Sequence, residues 1–215
     1  MNIRFDKESK TTAHDGRCGW FQLFQVFANP DVLVIEATNP DYIKICYDAF
    51  KHFVPGTHDI DIRQIDYNNT TAAVYDYSKP VHRDPNDWEH KITKTNKKRW
   101  ITSSWMYEDD LDSTDGGERT VRLKHRSLDP HLAPLIETMH NNPDYVDLGK
   151  SRRFHCSYSL IRKMQFVLDS KFYFGSTCSW SSWAKACGIK TYVFYNPALP
   201  SEYKKDFVEF DLQLI

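Results

Sequence analysis

Residues 171–196, Lys-Phe-Tyr-Phe-Gly-Ser-Thr-Cys-Ser-Trp-Ser-Ser-Trp-Ala-Lys-Ala-Cys-Gly-Ile-Lys-Thr-Tyr-Val-Phe-Tyr-Asn, constrain the fold more than any other stretch of the chain. They spell a buried strand (Phe172 to Phe174), a small polar loop (Gly175 to Ser179), a short helix ending at Gly188 and a second strand (Thr191 to Tyr195). In such a β-loop-α-β unit the loop amides and the first helical turn point to the carboxyl edge of a parallel sheet. Unpaired N–H groups and the helix dipole favour an anion there. The chemistry is therefore expected near Gly175 to Ser182.

The rest of the chain supports a β/α architecture. Asn2 to Phe5 fits a short strand, and Trp20, Phe21, Leu23, Phe24 and Phe27 recur at three- and four-residue intervals, as in a helix packed on a sheet. Asp31 to Glu36 is a β-branched run suited to an interior parallel strand. Asn39-Pro40 opens a helix with Ile43, Cys46, Tyr47, Phe50 and Phe53 on one stripe. Ile60 to Ile65 and Ala72 to Tyr77 supply two further apolar stretches, which gives the order β-α-β-α-β-β.

From Ser78 to Lys98 the chain turns polar without periodicity, and the boundary between two lobes is placed there. Trp100 to Trp105 resumes a strand, while Asp109 to Gly117 is an exposed loop. Thr120 to Leu123 is a candidate exposed strand. A helix follows Asp129-Pro130, with Leu132, Leu135, Ile136 and Met139 on its stripe, and Asn141-Asn142-Pro143 stops it. Tyr145 to Leu148 is the next strand, and Ser157 or Ser159 caps a helix carrying Leu160, Ile161, Met164, Val167 and Leu168.

The expected fold class is thus α/β, with two Rossmann-like lobes and a cleft between them. The lobes span residues 1–95 and 96–200, and the tail 201–215 returns to the first. Ligands of such folds bind at the carboxyl edges of the strands.

Composition narrows the function classes. A net charge of −1 argues against a polyanion as the main partner. Two basic clusters stand out, Lys91, Lys94, Lys97, Lys98 and Arg99, and Arg119, Arg122, Lys124 and Arg126, which also suit a solvated linker and an exposed strand edge. Five cysteines (Cys18, Cys46, Cys156, Cys178, Cys187) form no Cys-x-x-Cys pair, and the nine histidines include no His-Glu-x-x-His. Neither a disulfide framework nor a dedicated metal site is expected, although a divalent ion bridging phosphates stays open. No apolar run approaches the roughly 20 residues of a spanning helix, and the start lacks the apolar core of a secretory signal. The expectation is a cytoplasmic protein with no membrane insertion.

From Tyr145 to Asn196, about a quarter of the chain, the pattern resembles the ADP-heptose:lipopolysaccharide heptosyltransferases, glycosyltransferases of the GT-B class, in a shortened form. The matching pieces are Val-Asp-Leu-Gly-Lys (146–150), the helix Leu160 to Asp169, Phe-Tyr-Phe-Gly-Ser-Thr-Cys-Ser (172–179), Trp-Ala-Lys-Ala-Cys-Gly (183–188) and Thr-Tyr-Val-Phe-Tyr (191–195). The resemblance implies inverting transfer of a sugar from a nucleotide-sugar donor, bound as co-substrate with no firmly held cofactor. Gly175, Ser176, Thr177, Ser179 and Ser182 would meet the diphosphate, with Ser181 among the same hydroxyls. Where the family has Asp-Ser/Thr-Gly and a following His, this chain has Thr177-Cys178-Ser179 and Ser182, so donor base and sugar stay open.

Arg152, Arg153 and Lys185 are the nearest cations to offset the leaving diphosphate, each also suited to a plain surface position. Ser103 and Ser104 would face the same crevice, and Trp105 would stack on a base or sugar or else lie in the core. The family's amino-terminal lobe carries a catalytic carboxylate in a Gly-Asp loop. The comparable place here is His14-Asp15-Gly16-Arg17, which makes Asp15 the candidate general base, with His14 as competitor and a plain Asp-Gly turn as the alternative. The resemblance implies a glycan acceptor. Small phage enzymes of this general fold add a second choice, a hydroxymethylated base of phage DNA, for which the segment Lys91 to Trp105 would serve. An epimerase or hydrolase of the same fold and a non-catalytic nucleotide-sugar-binding module are the competing classes.

Overall fold

The computed structural model describes residues 1–5, 20–68, 72–74, 88–105, 133–148, 158–176 and 178–193. The chain divides into two compact units, Met1–Thr93 and Lys94–Ile215. Among the described residues each holds a sheet of four strands, all parallel, so the α/β class expected from the sequence is present in both. The expected strand at Thr120 to Leu123 and the tail 201–215 lie outside the described residues.

The first unit runs β1 (Asn2–Phe5), α1 (Trp20–Ala28), β2 (Val34–Ala37), α2 (Pro40–Phe53), β3 (Asp61–Gln64) and β4 (Ala73–Val74), then a 3-10 turn at Trp88–Lys91. Strand order is β3-β2-β1-β4. Because β1, β2 and β3 succeed one another in one direction, right-handed crossovers place α1 and α2 on the same face, where they pack on each other. Trp20, Phe21, Leu23, Phe24, Val26 and Phe27 of α1 are all buried, and Phe24 meets Phe50 of α2 at 5.0 Å between ring centroids. Trp88 closes this cluster, 5.6 Å from Phe21, 5.5 Å from Phe24 and 5.4 Å from Phe50. It lies in the stretch whose sequence showed no periodicity.

Strand β2 begins at Val34 instead of Asp31, because Val32 N–H donates to the Asn29 carbonyl in a turn before the chain joins the sheet. The side chains then alternate between faces. Ile3, Phe5, Ile35, Ala37 and Ile62 are buried in the apolar core. On the other face, register aligns Arg4, Glu36 and Arg63 across β1, β2 and β3. Glu36 accepts from Arg4 at 3.2 Å and from Arg63 at 3.0 Å, and its side chain is 1 % exposed. The interior strand is thus buried on both faces by two different means.

Helix α2 starts as its sequence predicts: Asn39 Oδ1 accepts the Tyr42 N–H at 3.2 Å and Pro40 occupies the first turn, where no N–H is needed. Asn39→Ala should lower stability by about 1 kcal/mol, read as a shifted urea midpoint. Asn39→Ser, which restores an acceptor, should recover most of it.

The second unit runs β5 (Trp100–Ser104), α3 (Ala133–His140), β6 (Tyr145–Asp147), α4 (Leu160–Leu168), β7 (Ser170–Gly175), α5 (Ser179–Ala186) and β8 (Lys190–Val193), in the order β6-β5-β7-β8. The chain steps from β5 outward to β6 and then back across β5 to β7. Right-handed crossovers in opposite directions put α3 on one face and α4 with α5 on the other. Trp105, Ile136, Tyr145 and Phe174 form the core beneath α3, with Ile101, Met139, Phe172 and Tyr192 packed against it. Leu135, assigned by periodicity to the stripe of α3, is instead 51 % exposed. Across the sheet, Met164, Val167, Tyr173 and Trp183 are fully buried, and Trp183 Nε1–H donates to the Met164 carbonyl at 3.1 Å.

Both helix ends that matter to the site follow from local chemistry. Ser159 caps α4 by accepting the Arg162 N–H at 3.3 Å. At the end of α5, Gly188 N–H donates to Lys185 O and Ile189 N–H to Ala184 O, the paired bonds of a Schellman motif, with Gly188 at φ +69. Among the described residues no helix is long and apolar enough to cross a membrane.

Candidate functional site

Each sheet has one place where the chain leaves the central strand in both directions, between β1 and β4 in the first unit and between β5 and β7 in the second. In open parallel sheets the crevice outside the carboxyl ends at such a reversal is the ordinary ligand position. In the second unit that position lies at Ser104 and Gly175, which are register partners, with the amino end of α5 just beyond. The polar loop singled out in the sequence and the pair Ser103 and Ser104 are therefore brought to one edge.

Their side chains are largely engaged by the protein itself. Ser103 Oγ lies 2.5 Å from the Tyr145 hydroxyl, and its carbonyl accepts the Leu148 N–H at 2.7 Å. Ser176 donates twice to the Ser104 carbonyl, from N–H at 3.0 Å and from Oγ at 3.3 Å. Ser181 Oγ accepts the Cys178 N–H at 3.0 Å and donates to the Cys178 carbonyl at 2.7 Å, which ties down the first turn of α5. Ser103, Ser104, Ser176 and Ser181 are all buried, whereas Ser179 and Ser182 are half-buried. Among the described residues, these last two have the greater access to solvent of the hydroxyls named in the sequence.

Gly175 has a role different from the one expected. Its φ is +151, and a Cβ there would lie 2.5 Å from Ser104 O and 2.9 Å from Ser104 N. The close approach that demands glycine is to the backbone of β5, so the space expected to admit a diphosphate at this residue is filled by the neighbouring strand.

Two phenols hydrogen-bond to these serines. Tyr173 is fully buried, hydrogen-bonded to Ser104 and 3.5 Å from Cys178 Sγ, and burial holds its hydroxyl well above the usual tyrosine range. Burial, reinforced by the charge of Asp147, raises Tyr145 likewise. Both remain neutral hydrogen-bonding groups at any physiological pH. The thiol of Cys46, in the core of the first unit, is pushed up to about 12 by burial and is inert.

The cations are distributed differently. Lys185 sits in the last turn of α5, about 9 Å along the axis from Ser179. Lys98 Nζ donates to the Leu168 carbonyl at 2.9 Å, and Arg99 pairs with Asp144 at 2.8 Å while lying 4.3 Å from the Trp100 ring centroid. Asp144 and Asp169, whose carbonyl accepts from Arg99 N–H, precede β6 and β7. This basic segment thus fastens the amino edge of the sheet, opposite the edge formed by Ser104 and Gly175. Trp105 is 3 % exposed within the core. Asp15, His14, Thr177, Arg152 and Arg153 lie outside the described residues.

Sequence reasoning passed over one pair. His140, the last residue of α3, places Nε2 at 3.9 Å from Oδ2 of Asp147, the last residue of β6. The Asp147 side chain is 2 % exposed and that of His140 21 %. The His140 ring stands edge-on to Tyr145 at 5.1 Å. Burial lowers the imidazole pKa against the opposing pull of Glu137. The only local signal was a histidine at a helix end seven positions ahead of a strand-end aspartate, which is too common to single out.

Among the described residues no group of three or more His, Cys, Asp or Glu is arranged to hold a metal ion. No protein-family model, curated protein or solved structure matches the chain.

Proposed function

We propose that the chain is a glycosyltransferase of the GT-B class, which binds a nucleotide sugar at the carboxyl edge of β5 and β7 and transfers its sugar with inversion. The observation that supports this reading is the topological reversal between β5 and β7, with Ser179 and Ser182 on the first turns of the helix that begins beside it. The dipole at that helix start suits a diphosphate, and the half-buried hydroxyls suit its oxygens. The acceptor is a glycan or a hydroxymethylated DNA base. In the second case the DNA contacts come from residues other than Lys98 and Arg99, whose side chains serve the opposite edge.

The engagement of Ser103, Ser176 and Ser181 within the protein supports a second reading, a nucleotide-sugar-binding module without catalysis. Isothermal titration against a panel of nucleotide sugars tests both. Micromolar binding of one donor, weakened about tenfold or more by the double change Ser179→Ala and Ser182→Ala, is the expected result. A silent panel removes both readings, whereas a bound donor that is never turned over with lipopolysaccharide core sugars or hydroxymethylcytosine DNA leaves the module.

A further inference from the structure

We propose that the amino edge of the second unit's sheet binds single-stranded nucleic acid, with Lys171 and Lys190 on its phosphates and Trp100 and Tyr158 beneath its bases. This inference goes beyond sugar transfer and concerns the edge opposite Ser104 and Gly175. Lys190 opens β8 and its register partner on β7 is Phe172, the residue after Lys171. Lys171 is the extra residue where β7 slips against β5, between the register pairs Trp100 with Ser170 and Ile101 with Phe172. From β8 to Trp100 on β5 is thus two strand spacings, about 10 Å. Lys94 joins this edge, since its Nζ lies 3.5 Å from where a Cβ on Gly188 would stand, just ahead of Lys190.

Two observations point to this partner. The first is unspent positive charge. Lys98 and Arg99 are taken up by the Leu168 carbonyl and by Asp144, whereas Lys94, Lys171, Lys190 and Arg162 are exposed and pair with no carboxylate among the described residues. Asp144 and Asp169, which precede β6 and β7, are already engaged, by Arg99 at 2.8 Å and by Gln165 at 3.0 Å. The net charge of −1 therefore conceals a local excess of cations, and phosphate oxygens suit it. The second is a firmly seated aromatic surface. Phe166 of α4, 4 % exposed, is flanked by Trp100 at 5.0 Å and Tyr158 at 5.1 Å, with the Arg162 guanidinium over its ring at 4.6 Å. The buried ring supports its neighbours, yet Tyr158 is 52 % exposed and Trp100 half-buried. Unpaired bases stack on rings and guanidinium planes presented in this way. A duplex keeps its base faces stacked inside, so only a single strand uses both the lysines and the rings.

The test uses the full chain and a fluorescein-labelled oligo(dT) of about 12 nucleotides, read by anisotropy from about 50 mM salt upward. Micromolar binding is expected, with a slope of about −2 to −3 in log affinity against log salt for three or four phosphate contacts. The double change Lys171→Gln and Lys190→Gln should weaken binding about tenfold or more and make the slope shallower by about 1.4. Tyr158→Ala should weaken it about fivefold or more at an unchanged slope, because it removes stacking and no charge. All three side chains are exposed, so urea midpoints near the wild-type value certify the fold. No anisotropy change up to about 100 μM protein overturns the proposal, as does binding that neither set of changes moves. A duplex bound as tightly as the single strand, with Tyr158→Ala silent, overturns the stacking platform. Poly-glutamate or phosphatidylserine vesicles bound as tightly as the oligonucleotide assign the lysines to an acidic protein or a membrane and overturn it too. A silent nucleotide-sugar panel leaves the oligonucleotide result standing, so the transfer reading and this one fail separately.

Discussion

Glu36→Gln should destabilise the first unit by about 3 kcal/mol or more, seen as a large fall in the urea midpoint. The carboxylate is 1 % exposed and sits between two guanidinium groups fixed in register on β1 and β3. Removing its charge leaves Arg4, itself 11 % exposed, beside another cation and no longer offset by Glu36. Breaking a buried pair costs far more than the pair contributes over an apolar replacement, because the remaining charge stays desolvated. Arg63 is 46 % exposed and rehydrates when released, so Arg63→Met should cost less than about 1 kcal/mol. The triple change Arg4→Met, Glu36→Leu, Arg63→Met should recover most of what Glu36→Gln loses. Equal midpoints for Glu36→Gln and the wild type would refute the buried ladder.

Gly175→Ala should lower the stability of the second unit by about 3 kcal/mol, through a positive φ and a methyl group driven against the β5 backbone. Neither Ser104 O nor Ser104 N lies on a flexible side chain that could move aside. The same carbonyl accepts both Ser176 bonds, so displacing β5 would loosen these as well. The measurement is urea unfolding followed by tryptophan fluorescence, with hydrogen exchange at the amides of Ser176 and Leu148 as a local readout. A midpoint within error of the wild type would show that the edge relaxes easily. Because the expected loss is in folding, a binding change in Gly175→Ala carries little information about the donor; Ser179→Ala and Ser182→Ala are the informative variants.

What the sequence disclosed, and what it withheld, divides along the range of the interactions. Asn39-Pro40, Ser159 and Gly188 announced helix ends because caps are made within a few residues. The stripe of α1 was legible because one face of a helix repeats at three and four residues. Trp88 was not, since an isolated anchor in a polar stretch has no period. The ladder was equally silent: Glu36 looked like the end of a β-branched run, and nothing local aligns it with Arg4 and Arg63. At the candidate site the residue types of Ser103, Ser176 and Gly175 drew attention to the right edge. Their partners Tyr145 and Ser104 come from other strands, so the sequence left their hydroxyls free and assigned the glycine to a ligand. His140 and Asp147 meet only because α3 folds back over β6.

The absence of any antiparallel pairing among the described strands has a kinetic consequence. Among the described strands no hairpin is available to form early, and each must wait for an intervening segment to close before it finds its neighbour. The junction at the candidate site is an extreme case, for Ser176 meets Ser104 across 72 residues of sequence. Closure entropy rises only logarithmically with length, so doubling that interval would cost about 0.6 kcal/mol. The edge where β5 meets β7 is therefore slow to assemble yet tolerant of growth in the loops between them, and new binding loops can be lengthened there without endangering the sheet that holds them.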